Sequence, residues 1–241
     1  VMESGVDMIG QAQTGTGKTA AFGIPLLEKV DPENRKVQAL VLCPTRELAI
    51  QVSEEIRNLA KYLHGIKVLP IYGGQDMSRQ IRSLKGGVQI IIGTPGRITD
   101  HLAKGNFNPD TIRTLIIDEF DKSLEFGFHD EMAEIITQLP GLKKRVLLSA
   151  TDAEEIPRFT GLNRTIKLNF LSDIPAEAPR LTLMKVISPV KDKIDTLYKL
   201  LCTLGSSSSI VFCNHRDAVD RVSALLAEKG MYNERFHGGM E

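Results

Sequence analysis

The sequence predicts an α/β fold in which a mainly parallel β-sheet carries helices on both faces. Two observations predict it. Short apolar runs typical of buried strands alternate with amphipathic segments over residues 6–148. The polar and glycine-rich segments follow the apolar runs directly, as ligand-binding loops do at the carboxyl ends of parallel strands. A length of 241 residues allows one or two domains, each able to bury an apolar core.

The predicted elements alternate in order along the first part of the chain. After an apolar stretch at residues 6–9, the sequence predicts strands at residues 38–43, 68–72, 88–92, 114–117 and 145–148. The spacing of apolar residues predicts helices at residues 46–62, 77–84, 98–103 and 130–138. In the first of these helices, Leu48, Val52 and Ile56 recur at intervals of four. Strands that alternate with helices are typical of a parallel sheet.

The pattern breaks and then restarts in the last third of the chain. Residues 169–179 contain Pro175 and Pro179 and have no clear periodicity, which is typical of an interdomain linker. Beyond them, the sequence predicts strands at residues 181–187 and 210–213 and helices at residues 191–204 and 217–229. We therefore predict a first domain over residues 1–170, a linker over 171–179 and the start of a second, similar domain over 180–241.

Charge and composition limit the classes of function. Basic and acidic residues both total 30, so the net charge is zero and any nucleic acid must bind in a local groove. The aromatic share of 5% argues against a base-stacking platform. Cys43, Cys202 and Cys213 lack metal-ligand spacing and are predicted to be buried thiols of a reducing compartment. Since no signal peptide or membrane span is recognisable, we expect a cytoplasmic location and no membrane partner.

The first chemical motif is a phosphate-binding loop. Its residues are Ala12, Gln13, Thr14, Gly15, Thr16, Gly17, Lys18 and Thr19. Glycines let backbone N–H groups approach phosphate oxygens, while Lys18 can reach the β- and γ-phosphates and the Thr19 hydroxyl can ligate Mg²⁺. The strict pattern begins with glycine where this chain has Ala12, and the alternative interpretation is a chance turn. We expect a bound nucleoside triphosphate.

Acidic residues after the predicted strand at residues 114–117 supply a second motif. Asp118 can hold Mg²⁺ through its water shell, and Glu119 is placed to orient and deprotonate the attacking water. By themselves, acids in this position are often only a solvated strand end. Together with the phosphate loop, they predict ATP hydrolysis. Ser149 and Thr151 follow the strand at residues 145–148 and can link the Mg²⁺ site to a neighbouring domain, although such residues often form only a turn.

In this order, the motifs resemble those of DEAD-box RNA helicases of superfamily 2. The resemblance covers almost the whole chain and rests on residues 12–19, 44–48, 73–74, 94–97, 118–121, 149–151, 210–214 and 237–240. It implies RecA-like domains, ATP and Mg²⁺ as cofactors, and RNA-stimulated ATP hydrolysis coupled to local duplex unwinding. It adds Asp121 to the nucleotide site and implies sequence-nonspecific contacts to RNA by Pro44, Thr45, Arg46, Gly73, Gly74, Thr94, Pro95, Gly96 and Arg97.

The chain also departs from the family pattern. Phe120 stands where alanine is usual between the acidic residues, so its neighbours are expected to be smaller or shifted. Family members carry a glutamine motif before the phosphate loop and arginine-bearing motifs later in the second domain. We therefore expect this chain to be a fragment that is poorly active alone. The alternatives are a non-catalytic, ATP-dependent RNA clamp and a DNA-directed superfamily 2 ATPase.

Overall fold

A parallel β-sheet forms the centre of the larger of two units in the computed structural model. The structure describes residues 5–13, 15–151, 156–171 and 182–240. The chain divides into two units, Val1–Ala178 and Pro179–Glu241. The division into a first domain, linker and second helicase domain stays a prediction.

The sheet has seven strands among these residues, and each pair of neighbours is parallel. In chain order the strands are β1 (Met8–Gln11), β2 (Ala39–Leu42), β3 (Val68–Ile71), β4 (Ile90–Gly93), β5 (Thr114–Ile117), β6 (Lys144–Ser149) and β7 (Ile166–Asn169). In space their order is β3-β4-β2-β5-β6-β1-β7. The predicted α/β fold is confirmed.

Helices cover both faces of this sheet. The helices are α1 (Lys18–Lys29), α2 (Arg46–Leu59), α3 (Met77–Lys85), α4 (Pro95–Ala103), α5 (Phe120–Glu125) and α6 (His129–Thr137). Along β2, Ala39 and Val41 enter one apolar cluster, with side chains of α1 and α2. Leu40 and Leu42 enter the other, with side chains of α4 and α6. Since successive strand side chains point to opposite faces, this uninterrupted apolar run requires cover on both sides.

Local sequence accounts for two helix starts. The Thr45 hydroxyl accepts a hydrogen bond from the N–H of Leu48 at 3.2 Å and caps α2. Helix α4 begins at Pro95, three residues before the predicted start, because proline is favoured in the first turn of a helix.

Helix α5 was not predicted, since its six residues are too few to show a helical period.

The second unit contains α7 (Ile194–Leu204) and α8 (Arg216–Glu228), close to the two predicted helices. The strands predicted at residues 181–187 and 210–213 are wrong over the described residues 182–187 and 210–213. Leu183 is 85% exposed and Phe212 is 91% exposed. A strand needs a hydrogen-bonded neighbour, and neither segment has one in the part of the chain that the structure describes.

The prediction that all three cysteines are buried is also wrong. Cys43 is buried, Cys213 is half-buried and Cys202 is exposed. Cys43 follows β2 in the sheet core, whereas Cys202 lies on α7, where apolar spacing alone did not show which face is covered. In the ranges that the structure covers, no helix is both long enough and apolar enough to cross a membrane.

Candidate functional site

The phosphate loop joins β1 to α1 at the carboxyl edge of the sheet. The Ala12 N–H donates to the Ser149 carbonyl at 3.1 Å, which fixes the start of the loop against β6. Gly15 and Gly17 have φ angles of 82° and 83°, in the left-handed region that favours glycine. Thr16 closes the turn, since its hydroxyl donates to the Gln13 carbonyl at 2.7 Å. The prediction for Thr14 falls outside the described residues.

Lys18 begins α1 and brings a buried positive charge to this loop. Its Nζ atom is buried and has no hydrogen-bond partner among the residues described. Burying an ammonium group is costly unless an anion or acceptor satisfies it, so the position fits a ligand phosphate. Thr19 follows in the first turn of the same helix, where the free N–H groups also favour an anion.

Asp118 and Glu119 lie at the carboxyl end of β5. The Asp118 side chain is 4% exposed, and its Oδ1 accepts from the Glu119 N–H at 3.0 Å. Burial raises the pKa of Asp118 to about 6, although the positive charge of Lys18 acts to lower it. Lys18 and Asp118 are therefore close enough to interact electrostatically.

The backbone of Glu119 is strained. Its φ angle of 46° and ψ angle of 52° lie in the left-handed region, where a side chain costs about 1–2 kcal/mol. Glu119 is half-buried and precedes the first residue of α5. Such strain at the end of a strand is typical of a functional site, because surrounding structure must maintain it.

Phe120 is 1% exposed and belongs to the apolar cluster on the α4 and α6 face. The ring therefore lies in the core next to the acidic residues. The acidic residues on either side of it are Glu119 and Asp121. Asp121 is 9% exposed, and its Oδ1 atom is buried without a hydrogen-bond partner among the described residues.

The structure joins Asp121 to Ser149 and Thr151. The Thr151 hydroxyl donates to Asp121 Oδ2 at 2.8 Å, and the Ser149 hydroxyl donates to the Thr151 carbonyl at 2.8 Å. The Thr151 N–H returns a hydrogen bond to the Ser149 hydroxyl at 3.0 Å. Hence the segments after β5 and β6 form one polar network, a contact between residues 30 apart that the sequence did not predict.

A magnesium site made only of protein ligands is not found among the described residues, which contain no group of three or more histidines, cysteines or acids able to hold a metal. Mg²⁺ is commonly held by one or two protein ligands together with substrate phosphates and water. Asp118 and Thr19 fit the role of the one or two protein ligands in such a site.

A separate groove of about 460 Å³ brings together most of the residues predicted to contact RNA. It is lined by Pro44, Thr45, Arg46, Glu47, Gly73, Thr94, Gly96, Arg97, Asp100 and Phe128. Two predicted residues, Gly74 and Pro95, are not in its lining. Sequence reasoning missed Glu47, Asp100 and Phe128. Asp100 lies one helical turn after Arg97, a spacing that could have indicated it, whereas no sequence signal indicated Phe128.

The two arginines of the groove differ. The Arg97 Nε atom lies 3.8 Å from Asp100 Oδ2, and its side chain is only 16% exposed. Arg46 is exposed, and its guanidinium carbon lies 5.5 Å from the centre of the Tyr72 ring. No described residue forms an ion pair with Arg46. It is therefore the groove arginine whose charge is open to an anionic ligand.

Comparisons with known proteins agree with the geometry. A family model described as "DEAD/DEAH box helicase" matches residues 1–159. The ATP-dependent RNA helicase CshA of Listeria monocytogenes is 43% identical over 98% of this chain and 45% of its own length. The DEAD-box ATP-dependent RNA helicase CshA of Bacillus subtilis is 41% identical over 98% of this chain and 48% of its own length.

Solved structures show the same fold. A DEAD box protein from the hyperthermophile Methanococcus jannaschii aligns with a TM-score of 0.63 and 31% identity, over 98% of this chain and 63% of that one. A hypothetical ATP-dependent RNA helicase from Sulfolobus tokodaii aligns with a TM-score of 0.64 and 30% identity, over 93% of this chain and 64% of that one. The chain spans about half the length of the curated relatives it matches.

Proposed function

The chain belongs to the DEAD/DEAH box helicase family, and on that premise we propose that it is the ATP-binding and RNA-binding part of an ATP-dependent RNA helicase. The observation that carries the proposal is the buried Nζ of Lys18, which has no hydrogen-bond partner among the described residues and lowers the pKa of Asp118, at the end of a loop with two left-handed glycines. A buried positive charge next to open N–H groups is what a polyphosphate requires.

Five residues of the nucleotide site are assigned to binding ATP and Mg²⁺. ATP bound with Mg²⁺ supplies the transferable γ-phosphoryl group. Gly15 and Gly17 open the loop backbone toward phosphate oxygens, and Lys18 neutralises their charge. The Thr19 hydroxyl would hold the Mg²⁺ ion, and Asp118 would hold it through water; the ion would supply positive charge to the phosphates.

Glu119 acts as the general base. It accepts the proton of the attacking water at a carboxylate oxygen, while its N–H stays bonded to Asp118 Oδ1. The hydrogen bond from Thr151 to Asp121 then connects this region to the segment after β6, which supports a role for Ser149 and Thr151 in coupling to a neighbouring domain.

The groove binds a single strand of RNA through its backbone. Helices α2 and α4 present first-turn N–H groups there, behind Thr45 and Thr94, and these groups can donate to phosphates. Arg46 adds an exposed charge, and a Cβ at Gly96 would meet nothing within 4 Å, which leaves room for the strand. Contacts to phosphates and 2′-hydroxyl groups make binding insensitive to sequence and selective for RNA.

The nucleotide half of the proposal is tested by calorimetry of Mg·ATP binding to the 241-residue chain. The Lys18→Ala variant should lose measurable binding. The Lys143→Ala variant should bind like the wild type, because this exposed lysine precedes β6 at the opposite edge of the sheet. Unchanged affinity in Lys18→Ala refutes the assigned role.

The RNA half is tested by fluorescence anisotropy with labelled single strands of the same sequence in RNA and DNA. We expect tighter binding to RNA than to DNA. Equal binding to both favours a DNA-directed ATPase, and no binding to either refutes the RNA site. The Glu119→Gln variant should retain nucleotide binding and abolish ATP hydrolysis, and an unchanged rate would show that another base acts.

A further inference from the structure

A hydrogen-bonded chain of three polar side chains lies next to the groove, outside the residues assigned to ATP and RNA, and two of the three are buried. It consists of Gln80 on α3, His101 on α4 and Asn106 in the loop that follows α4. Gln80 is 2% exposed and His101 is fully buried. Buried amide and imidazole groups destabilise a fold unless they are hydrogen-bonded, so their partners define what they do.

The hydrogen bonds set the direction of the chain. Gln80 Nε2 donates to the Tyr72 carbonyl at 3.0 Å. Since a carbonyl only accepts, Gln80 Oε1 must be the atom 2.9 Å from His101 Nε2, and that ring nitrogen carries the proton. Asn106 Nδ2 donates to His101 Nδ1 at 3.1 Å. His101 is therefore a neutral imidazole with both nitrogens bonded, which its burial also favours.

Tyr72 connects this chain to the groove. Its backbone carbonyl is bonded to Gln80, its hydroxyl accepts from Gln75 Nε2, and its ring lies 5.5 Å from the guanidinium carbon of Arg46. Arg46 also lies near Gly74, where an added Cβ would be 2.9 Å from Arg46 Nη1. Gly74 thus leaves space for the Arg46 guanidinium group.

His101 connects the Gln80 side chain to the other wall of the groove. It lies on α4, and the first turn of that helix carries Gly96 and Arg97 into the groove. The bond between Gln80 and His101 therefore holds the segment after β3 at a fixed place relative to α4. This hydrogen bond links segments that contribute to both sides of the groove.

We propose that Gln80 and His101 are positioning residues for RNA binding, which fix Tyr72 and through it the place of Arg46 in the groove. They change RNA affinity without touching RNA. The inference rests on the proposed function of the groove. If they served only the stability of the core, their loss would lower the melting temperature and leave the RNA affinity of the folded protein unchanged.

The test is a double-mutant cycle on the full 241-residue chain, with Gln80→Leu, Arg46→Gln and the double variant. The dissociation constant for a labelled single-stranded oligouridine is measured at several salt concentrations. Gln80→Leu should weaken binding by about 3- to 10-fold and lower the salt slope by up to about 0.7, the share of one phosphate contact on a single strand. In the Arg46→Gln background, Gln80→Leu should change the affinity less than about twofold, because coupled residues are not additive.

Two matched variants separate positioning from stability. Leu102→Ala removes a buried apolar side chain next to His101 and should lower the melting temperature without changing RNA affinity or salt slope. His101→Phe should repeat the loss of RNA affinity, whereas His101→Gln keeps a donor and an acceptor and should bind within about twofold of the wild type. Should Gln80→Leu not fold, Asn106→Ala at the half-buried end of the chain takes its place in the cycle.

Several outcomes overturn the inference. Wild-type affinity and salt slope in Gln80→Leu remove it, and so does a full loss of affinity on top of Arg46→Gln, since the effect would then bypass Arg46. The same loss in Leu102→Ala would show general destabilisation instead. A wild-type chain that binds Mg·ATP but no RNA refutes the proposed RNA site, and this inference with it.

Discussion

The Phe120→Ala variant should lose about 3–5 kcal/mol of unfolding free energy in the first unit. The resemblance of residues 118–121 to a family motif implies alanine as the usual residue at this position, so the substitution would follow that pattern. The structure leads to the opposite expectation, because the ring is 1% exposed and shares its apolar cluster with Ile117, Met132 and Ile135. These neighbours are arranged around a large side chain.

The magnitude follows from two contributions. Exposing a buried phenylalanine side chain to water costs about 1.5–3 kcal/mol. The space left behind costs about 24 cal/mol per Å³ wherever the surrounding side chains do not collapse into it. In a unit of this size, 1 kcal/mol shifts the melting temperature by about 2–4 °C, so the expected decrease is about 6–20 °C.

Urea unfolding followed by far-UV circular dichroism measures this loss, with thermal melts as a second readout. The matched control is Phe126→Ala at the end of the same helix, because that side chain is 56% exposed and its loss should cost less than about 0.5 kcal/mol. Below the transition, Phe120→Ala should still bind Mg·ATP, since Lys18 and Asp118 are unchanged. A loss below about 1 kcal/mol in Phe120→Ala would refute the reasoning, since the ring could not then be filling the core.

Three further predictions follow from burial and capping. Ellman's reagent should label Cys202 rapidly and Cys43 only on unfolding, because Cys43 is buried and its burial raises the pKa of the thiol; equal rates would contradict this. Burial lowers the pKa of His101, so the unfolded chain binds the extra proton and stability should fall, by at most about 1.4 kcal/mol per pH unit, as the pH drops below the ordinary value of 6.5. Urea titrations at pH 5.5 and 7.5 should show a smaller decrease in His101→Gln than in the wild type. Thr45→Ala removes the cap on the Leu48 N–H and should cost about 1 kcal/mol in the same assay, and an unchanged midpoint would show that the cap is unimportant.

Most strands and helices of the first unit were predictable because their residues follow a local pattern, whereas α5 and β7 were not predicted. The run of β2 is apolar at every position, and α2 repeats its apolar residues at helical spacing, so neither needed tertiary information. The same reasoning failed at residues 210–213, which are apolar enough for a strand and have no partner strand in the described part of the chain. Apolar sequence indicates a tendency to pair, and only a neighbour makes the strand.

The candidate site also contains residues that the sequence predicted and residues that it did not. Seven of the nine residues predicted to contact RNA line one groove, because their motifs follow β2, β3 and β4, which are adjacent in the sheet. Glu47, Asp100 and Phe128 line it as well, and Phe128 comes from a part of the chain with no recognisable motif. The functional roles of these residues stay predictions until the variants above are measured.

By itself, the sequence determined the phosphate loop, the acidic pair after β5 and the covered parallel sheet, since each depends on residue types at short spacing. Only the tertiary structure decided that Thr151 donates to Asp121, 30 residues away, and that Gln80 meets His101, 21 residues away. It also decided that Phe120 enters the core and that Gly74 makes room for Arg46. Side chains distant in the sequence meet only once the strands have taken their order in the sheet, and short-range patterns carry no record of that order.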